Sequence, residues 1–141
     1  MLMKQLVAMV TSGVLCVANI HADEYTQQVA DSRATVKEFM QQLKGELQQG
    51  MQAGGPVNAI AVCRDRAPAI AAALGESKGL DIGRTSLRVR NPANTPDVWE
   101  KAVLEQFEQR KLAGEDPAGM EFHAAAEQED KIVFRYMKAI P

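Results

Sequence analysis

The sequence predicts an α+β fold, with a long N-terminal helix and flanking helices around an antiparallel sheet. Three observations lead there. Apolar residues recur at spacings of three and four from Val29 to Leu47, and again from Cys63 to Leu74, which is the stripe of an amphipathic helix. Between Thr85 and Arg90, and again beyond Glu121, the spacing falls to two, the period of a half-buried strand. The resulting order, helix, helix, strand, helix, strand, strand, suits an antiparallel rather than a parallel sheet. At 141 residues the chain forms one domain with room for a core. With 46% hydrophobic but only 5% aromatic residues, that core is aliphatic. A net charge of −2, without a dominant basic patch, argues against nucleic acid or an anionic membrane surface as partner.

Residues 1–22 read as a cleaved signal peptide. Lys4 supplies a short positive start, Gln5 to Val17 is mostly apolar, and Ile20-His21-Ala22 offers a cleavage site before Asp23. The apolar run is shorter than the roughly 20 residues a spanning helix needs, so no membrane span is expected after cleavage. Leu15 before Cys16 occupies the place where a lipoprotein site wants a small residue. Cleavage removes Lys4 and Cys16 but no acid, leaving a single domain, 23–141, with Cys63 as its one cysteine. The expected location is the periplasm.

The first helix is expected from Glu24 to about Met51, with Val29, Val36, Phe39, Met40, Leu43 and Leu47 inward and Gly50, Gly54, Gly55 and Pro56 ending it. A second runs from about Val57 to Leu74, opened by Asn58. Its inner face carries Cys63, Ala67, Ile70, Ala71 and Leu74, and Pro68 is expected to kink it just past the cysteine. Arg64, Asp65 and Arg66 face away or flank a cleft. The next stretch changes state twice. Leu87 and Val89 alternate with Ser86, Arg88 and Arg90 as a strand, which Pro92 and Pro96 terminate. Thr95 is expected to cap the third helix, with Pro96 at its first position, Asp97 in its first turn and Trp99 as a buried anchor. That helix runs to about Leu112, with Val98, Ala102, Val103 and Phe107 inward. Glu121 to Glu127 and Lys131 to Ile140 follow as two strands about a turn at Gln128 to Asp130.

The chemistry-bearing residues are few. No glycine-rich phosphate loop, zinc-protease motif or nucleophile elbow occurs, so an enzyme is not expected. Cys63, alone after cleavage, has no internal disulfide partner. It reads as a buried thiol, an intermolecular bridge or a metal ligand. Small alanines around it and the bend at Pro68 leave room for a flat cofactor, although alanines also let helices approach closely. His123 reads as an exposed strand residue, and Met40, Met51, Met120 and Met137 as core. Arg84, Arg88 and Arg90 form a basic face that is either solvated or able to clamp carboxylates.

The run Arg-Asn-Pro-Ala-Asn-Thr-Pro-Asp from Arg90 to Asp97, preceded by Arg84 to Val89 and followed by Trp99-Glu100, resembles an extracytoplasmic c-type-haem-binding family. Ala59 to Cys63 followed by Ala67 to Ile70 is similar to that family's cysteine helix, and Phe134-Arg135-Tyr136 with Ile140-Pro141 to its last strand. The likeness spans about residue 25 to the end. It implies a PAS-like fold, a sheet flanked by helices, and an axial haem-ligand role for Cys63. It also implies covalent haem attachment at a Cys-x-x-Cys-His motif, which is absent from these residues. Either the sequence stops just short of that motif, or this member holds haem noncovalently or not at all.

Two function classes follow. One is a periplasmic haem-binding module for electron transfer or redox or gas sensing, with Cys63 as iron ligand, Arg84, Arg88 and Arg90 against the propionates, and a redox partner protein or homodimer as partner. The other is a haem-free PAS-like sensory or interaction domain. A thiol enzyme built on Cys63 is the weakest reading, because its base would have to be His123, sixty residues away.

Overall fold

A computed structural model describes residues 17–140 of the chain. Helix α1 (Val17–Ala61) is helical from the first of these, so the predicted cleavage junction after Ala22 lies inside a continuous helix. The remainder of the predicted signal segment, including Cys16, lies outside the described residues. At Gly54 and Gly55 the helix breaks and the chain reverses. Gly55 has φ 68°, a left-handed conformation that glycine adopts without steric cost. The predicted end of the first helix is therefore a helical hairpin, whose second arm starts at Pro56.

That arm does not continue as a uniform α-helix. Val62–Arg66 forms a π-helical turn, closed by the Ala67 N–H donating to the Val62 carbonyl five residues back. The cause is Pro68, which has no N–H for the Arg64 carbonyl and whose ring would collide with it. Helix α2 (Ala67–Lys78) then starts with Pro68 in its first turn. The predicted kink is thus absorbed before the proline, as a wider turn containing the cysteine. Gly79, at φ 65°, ends α2 with the Leu80 N–H donating to the Gly75 carbonyl at 2.9 Å.

The two arms pack antiparallel. Phe39 and Leu43 of α1 meet Ala67, Ile70, Ala71 and Leu74 of α2 in one buried cluster, with Met40, Leu47 and Val62 against it. Two ion pairs tie the arms outside it, Arg66 to Glu46 at 2.7 Å and Lys78 to Glu38 at 3.0 Å.

Residues Gly79 to Asn91 are where the prediction fails. The alternation of Leu87 and Val89 does not make a strand: no ladder forms, and the two side chains are 40% and 41% exposed. Alternation alone cannot specify a strand that has no neighbour to pair with. The segment is held by Ile82, packed on the helical core, and by the Thr85 hydroxyl donating to the Asn94 carbonyl at 3.2 Å. A 3₁₀ turn, Pro92–Asn94, leads to helix α3 (Val98–Leu112).

The cap of α3 is Asp97 rather than Thr95. The Asp97 carboxylate accepts from the Glu100 N–H at 2.7 Å, and the Glu100 carboxylate accepts from the Asp97 N–H at 2.9 Å, a reciprocal capping box. Thr95 instead closes the 3₁₀ turn through its hydroxyl to the Pro92 carbonyl. The helix starts two residues later than expected, which puts Val98 at its first, open position. Val103 and Phe107 are buried as expected, but Val98 is 90% exposed and Ala102 is also outward.

Strands β1 (Glu121–Gln128) and β2 (Lys131–Lys138) form a two-stranded antiparallel sheet, with Glu121 opposite Lys138 and Gln128 opposite Lys131. The two-residue turn between them, Glu129-Asp130, has φ of 51° and 60°, the positive values a twisted hairpin requires. The described chain is thus α+β, with helices on both faces of this ribbon. On one face Phe122 and Met137 join Val103, Phe107, Met120 and Trp99 of the α3 layer. On the other lie Glu121, His123, Phe134 and Tyr136, covered by the N-terminal half of α1.

Candidate functional site

Cys63 is the second residue of the π-helical turn and is half-buried. Gly50 positions it from the facing arm: a Cβ there would lie 2.9 Å from a Val62 methyl, so the bare glycine lets the turn come down onto α1. From the loop after α2, Arg84 donates through Nη2 to the Cys63 carbonyl at 3.0 Å. This uses one of the carbonyls that the irregular turn leaves without a regular helical partner. The structure therefore brings together two of the four predicted site residues, Cys63 and Arg84. Arg88 and Arg90 are exposed on the extended segment, and neither forms an ion pair among the described residues. Arg64 and Arg66, beside the cysteine, are engaged with Asp65 and Glu46.

His123 belongs to a different part of the molecule. It is not an exposed strand residue: it is half-buried, its Nδ1 is 2.8 Å from the Tyr25 hydroxyl, and its ring lies nearly parallel to that of Tyr136, with 6° between the planes. Phe134 completes the aromatic group, edge-on to Tyr25 at 5.2 Å between centroids. Tyr25 and Gly50 are separated by an unbroken run of α1, which spans on the order of 35 Å. His123 and Cys63 therefore do not form one ligand set. Among the described residues no group of three His, Cys, Asp or Glu side chains is placed to hold a metal ion.

Next to the aromatic group lies a network that sequence reading missed. Arg33 of α1 grips Glu121 with both Nε and Nη2, and the Tyr136 hydroxyl donates to the same carboxylate at 2.7 Å. Those hydrogen bonds, Arg33's first, outweigh partial burial and pull the Glu121 carboxyl down to about 2. Burial, followed by the hydrogen bond to Glu121 and then by that carboxylate's charge, raises Tyr136 well above an ordinary phenol. Beside this network is a cleft of about 470 Å³, lined by Arg33, Val36, Lys37 and Met40 of α1 and by Glu121, Tyr136 and Lys138 of the hairpin, among others. Nothing local in the sequence announces it, because Arg33 and Glu121 are 88 residues apart. Met51, expected in the core, is 49% exposed, whereas Met120 is buried and Met40 and Met137 are partly so.

On the opposite face of the hairpin, Arg135 lies 4.4 Å over the Trp99 ring and pairs with Asp97 at 2.7 Å. Trp99 is half-buried, packed against Phe122. The corner residues that carry the sequence resemblance thus serve to seat α3 on the sheet.

The profile of the Tll0287-like family matches residues 17–141. The chain belongs to the Tll0287-like family. No curated protein and no solved structure matches it. The match extends over every element described above, so this Tll0287-like chain contains both the cysteine turn and the α1–hairpin cleft within the family region. No described helix is long and apolar enough to cross a membrane.

Proposed function

We propose that this Tll0287-like chain is a periplasmic, PAS-like haem-binding module that carries electrons or reports redox or gas state, with Cys63 as a thiolate donor to iron. The observation that carries the reading is the half-buried Cys63 in its π-helical turn, with Arg84 fixed on its backbone carbonyl. π turns occur preferentially at functional sites, because they set one side chain out of helical register. Haem, when bound, supplies a redox-active iron whose potential depends on its axial donor and burial.

The donor set fits part of this role. Cys63 would supply a thiolate donor to the iron, and Arg84, with its planar fork of donors beside the cysteine, would suit a propionate. Arg88 and Arg90, exposed on the same segment, add positive charge to that approach. Covalent attachment does not fit the residues present, because no Cys-x-x-Cys-His occurs in the sequence. The proposed signal peptide, residues 1–22, would direct the chain to the compartment where such a module acts.

Haemin titrated into the purified protein tests the reading. The expected result is a saturable absorption change with a thiolate-type electron paramagnetic resonance signal, lost or altered in Cys63→Ser. Haem bound with identical spectra and reduction potential in both proteins would make Cys63 a structural thiol. Absence of haem from wild type, including protein expressed in a host that matures c-type cytochromes, would favour the haem-free PAS-like sensory or interaction role.

A further inference from the structure

We propose that the cleft between α1 and the hairpin is a second binding site, for a small carboxylate with an apolar body. Its volume of about 470 Å³ lies within the roughly 300–1,000 Å³ of small-molecule sites. Its lining divides into two parts. Val36, Met40, Ala139 and Ile140 provide an apolar side, suited to an aromatic ring or a short alkyl chain.

The polar side is cationic. Arg33, Lys37 and Lys138 line it with one acid, Glu121, which pairs with Arg33 and also feels the Lys138 charge, so the lining keeps a surplus of positive charge. What remains for a ligand is the Lys37 and Lys138 ammonium groups. Lys138 donates one hydrogen bond to the Ala118 carbonyl at 2.6 Å, which fixes the ammonium at the cleft and leaves further donors on the same nitrogen. Lys37 has no ion-pair partner among the described residues. A carboxylate beside these two groups, with its apolar body on Val36 and Met40, satisfies both halves of the lining. A cationic ligand would meet the surplus positive charge unfavourably, and a neutral apolar one would leave Lys37 without a counter-charge.

The Arg33–Glu121–Tyr136 network gives the site its shape. It fastens α1 to the hairpin on one side of the cleft, so the opening is fixed before a ligand arrives. The site is separate from the proposed haem role, since neither Cys63 nor Arg84 lines the cleft.

The test uses phenylacetate as probe, followed in amide nuclear magnetic resonance spectra of the full chain. Saturable shifts are expected for Ala118, Ala139 and Ile140. Phenylacetamide, the same shape without the charge, should bind at least about tenfold more weakly. Lys37→Glu, on an exposed helix position, should weaken phenylacetate by about tenfold or more with an unchanged melting temperature, and Cys63→Ser should leave its binding as in wild type. No saturable shift at millimolar phenylacetate, equal binding of acid and amide, or an unaffected Lys37→Glu variant would each overturn the proposal. Loss of phenylacetate binding in Cys63→Ser would also overturn it, by placing the acid at the cysteine turn. None of these results alters the haemin titration.

Discussion

Glu121 is the residue whose ionisation matters most to the fold. It accepts from Arg33 and Tyr136 at once, and its side chain is 22% exposed. Because its carboxyl is lowered from 4.5 to about 2 on folding, its contribution is complete above the unfolded value and is lost as the pH falls from about 4.5 towards 2. Arg33 is largely solvated, so screening leaves the pair worth far less than the shift alone would imply. Glu121→Gln should therefore lower stability by about 1 kcal/mol at pH 7 and cost progressively less towards pH 2, as measured by urea midpoints across the range. A loss that stays constant with pH would assign the effect to packing. Asp97 is also held below its ordinary range, although burial alone would raise it; the Glu100 N–H and the Arg135 guanidinium reverse that.

At the scale of elements, the boundary of α3 is decided by which side chain caps the free N–H groups of its first turn. Asp97 has the capping box and the Arg135 ion pair, whereas Thr95 has only its own 3₁₀ turn. Asp97→Ala should cost about 1–2 kcal/mol and Thr95→Ala less than about 0.5, compared by denaturation midpoints. A larger loss at Thr95 would mean that the 3₁₀ turn, rather than the box, orients the helix. The same region shows what the sequence can and cannot convey. The apolar stripes of α1 and α2, the turn glycines and the alternation of β1 and β2 were legible, because each is a local pattern that its own element satisfies. Leu87 and Val89 carried the same alternation but have no strand beside them, and pairing is not encoded in a single segment. Cys63 and Arg84 were legible as individual residues, but their meeting depends on a π turn that Pro68 imposes. The Arg33–Glu121 and Tyr25–His123 contacts had no local signal at all.

For the whole molecule, the hairpin is the common middle layer, with α1 on one face and α3 on the other. Trp99 is the main tie on the α3 side, between Phe122 and the Arg135 guanidinium. Trp99→Ala should cost about 2–3 kcal/mol, less than a fully buried tryptophan because the ring is partly exposed. Thermal denaturation measures this, and a loss below about 1 kcal/mol would show that Val103, Phe107 and Met120 hold α3 without it.

The sequence separations within these layers differ in a way that bears on how the chain assembles. The α1–α2 arms and the hairpin each close through turns of a few residues, and α3 lies next to the hairpin in the chain. The contacts of Tyr25 and Arg33 with β1 instead close loops of 98 and 88 residues. The entropy of such a loop must be lost before those contacts give anything back. The N-terminal half of α1 is therefore expected to dock last and lift first, and slower amide exchange in Tyr25–Arg33 than in β1 would overturn this. Such an opening would part Tyr25 from His123 and Arg33 from Glu121 and would remove one wall of the cleft together with them.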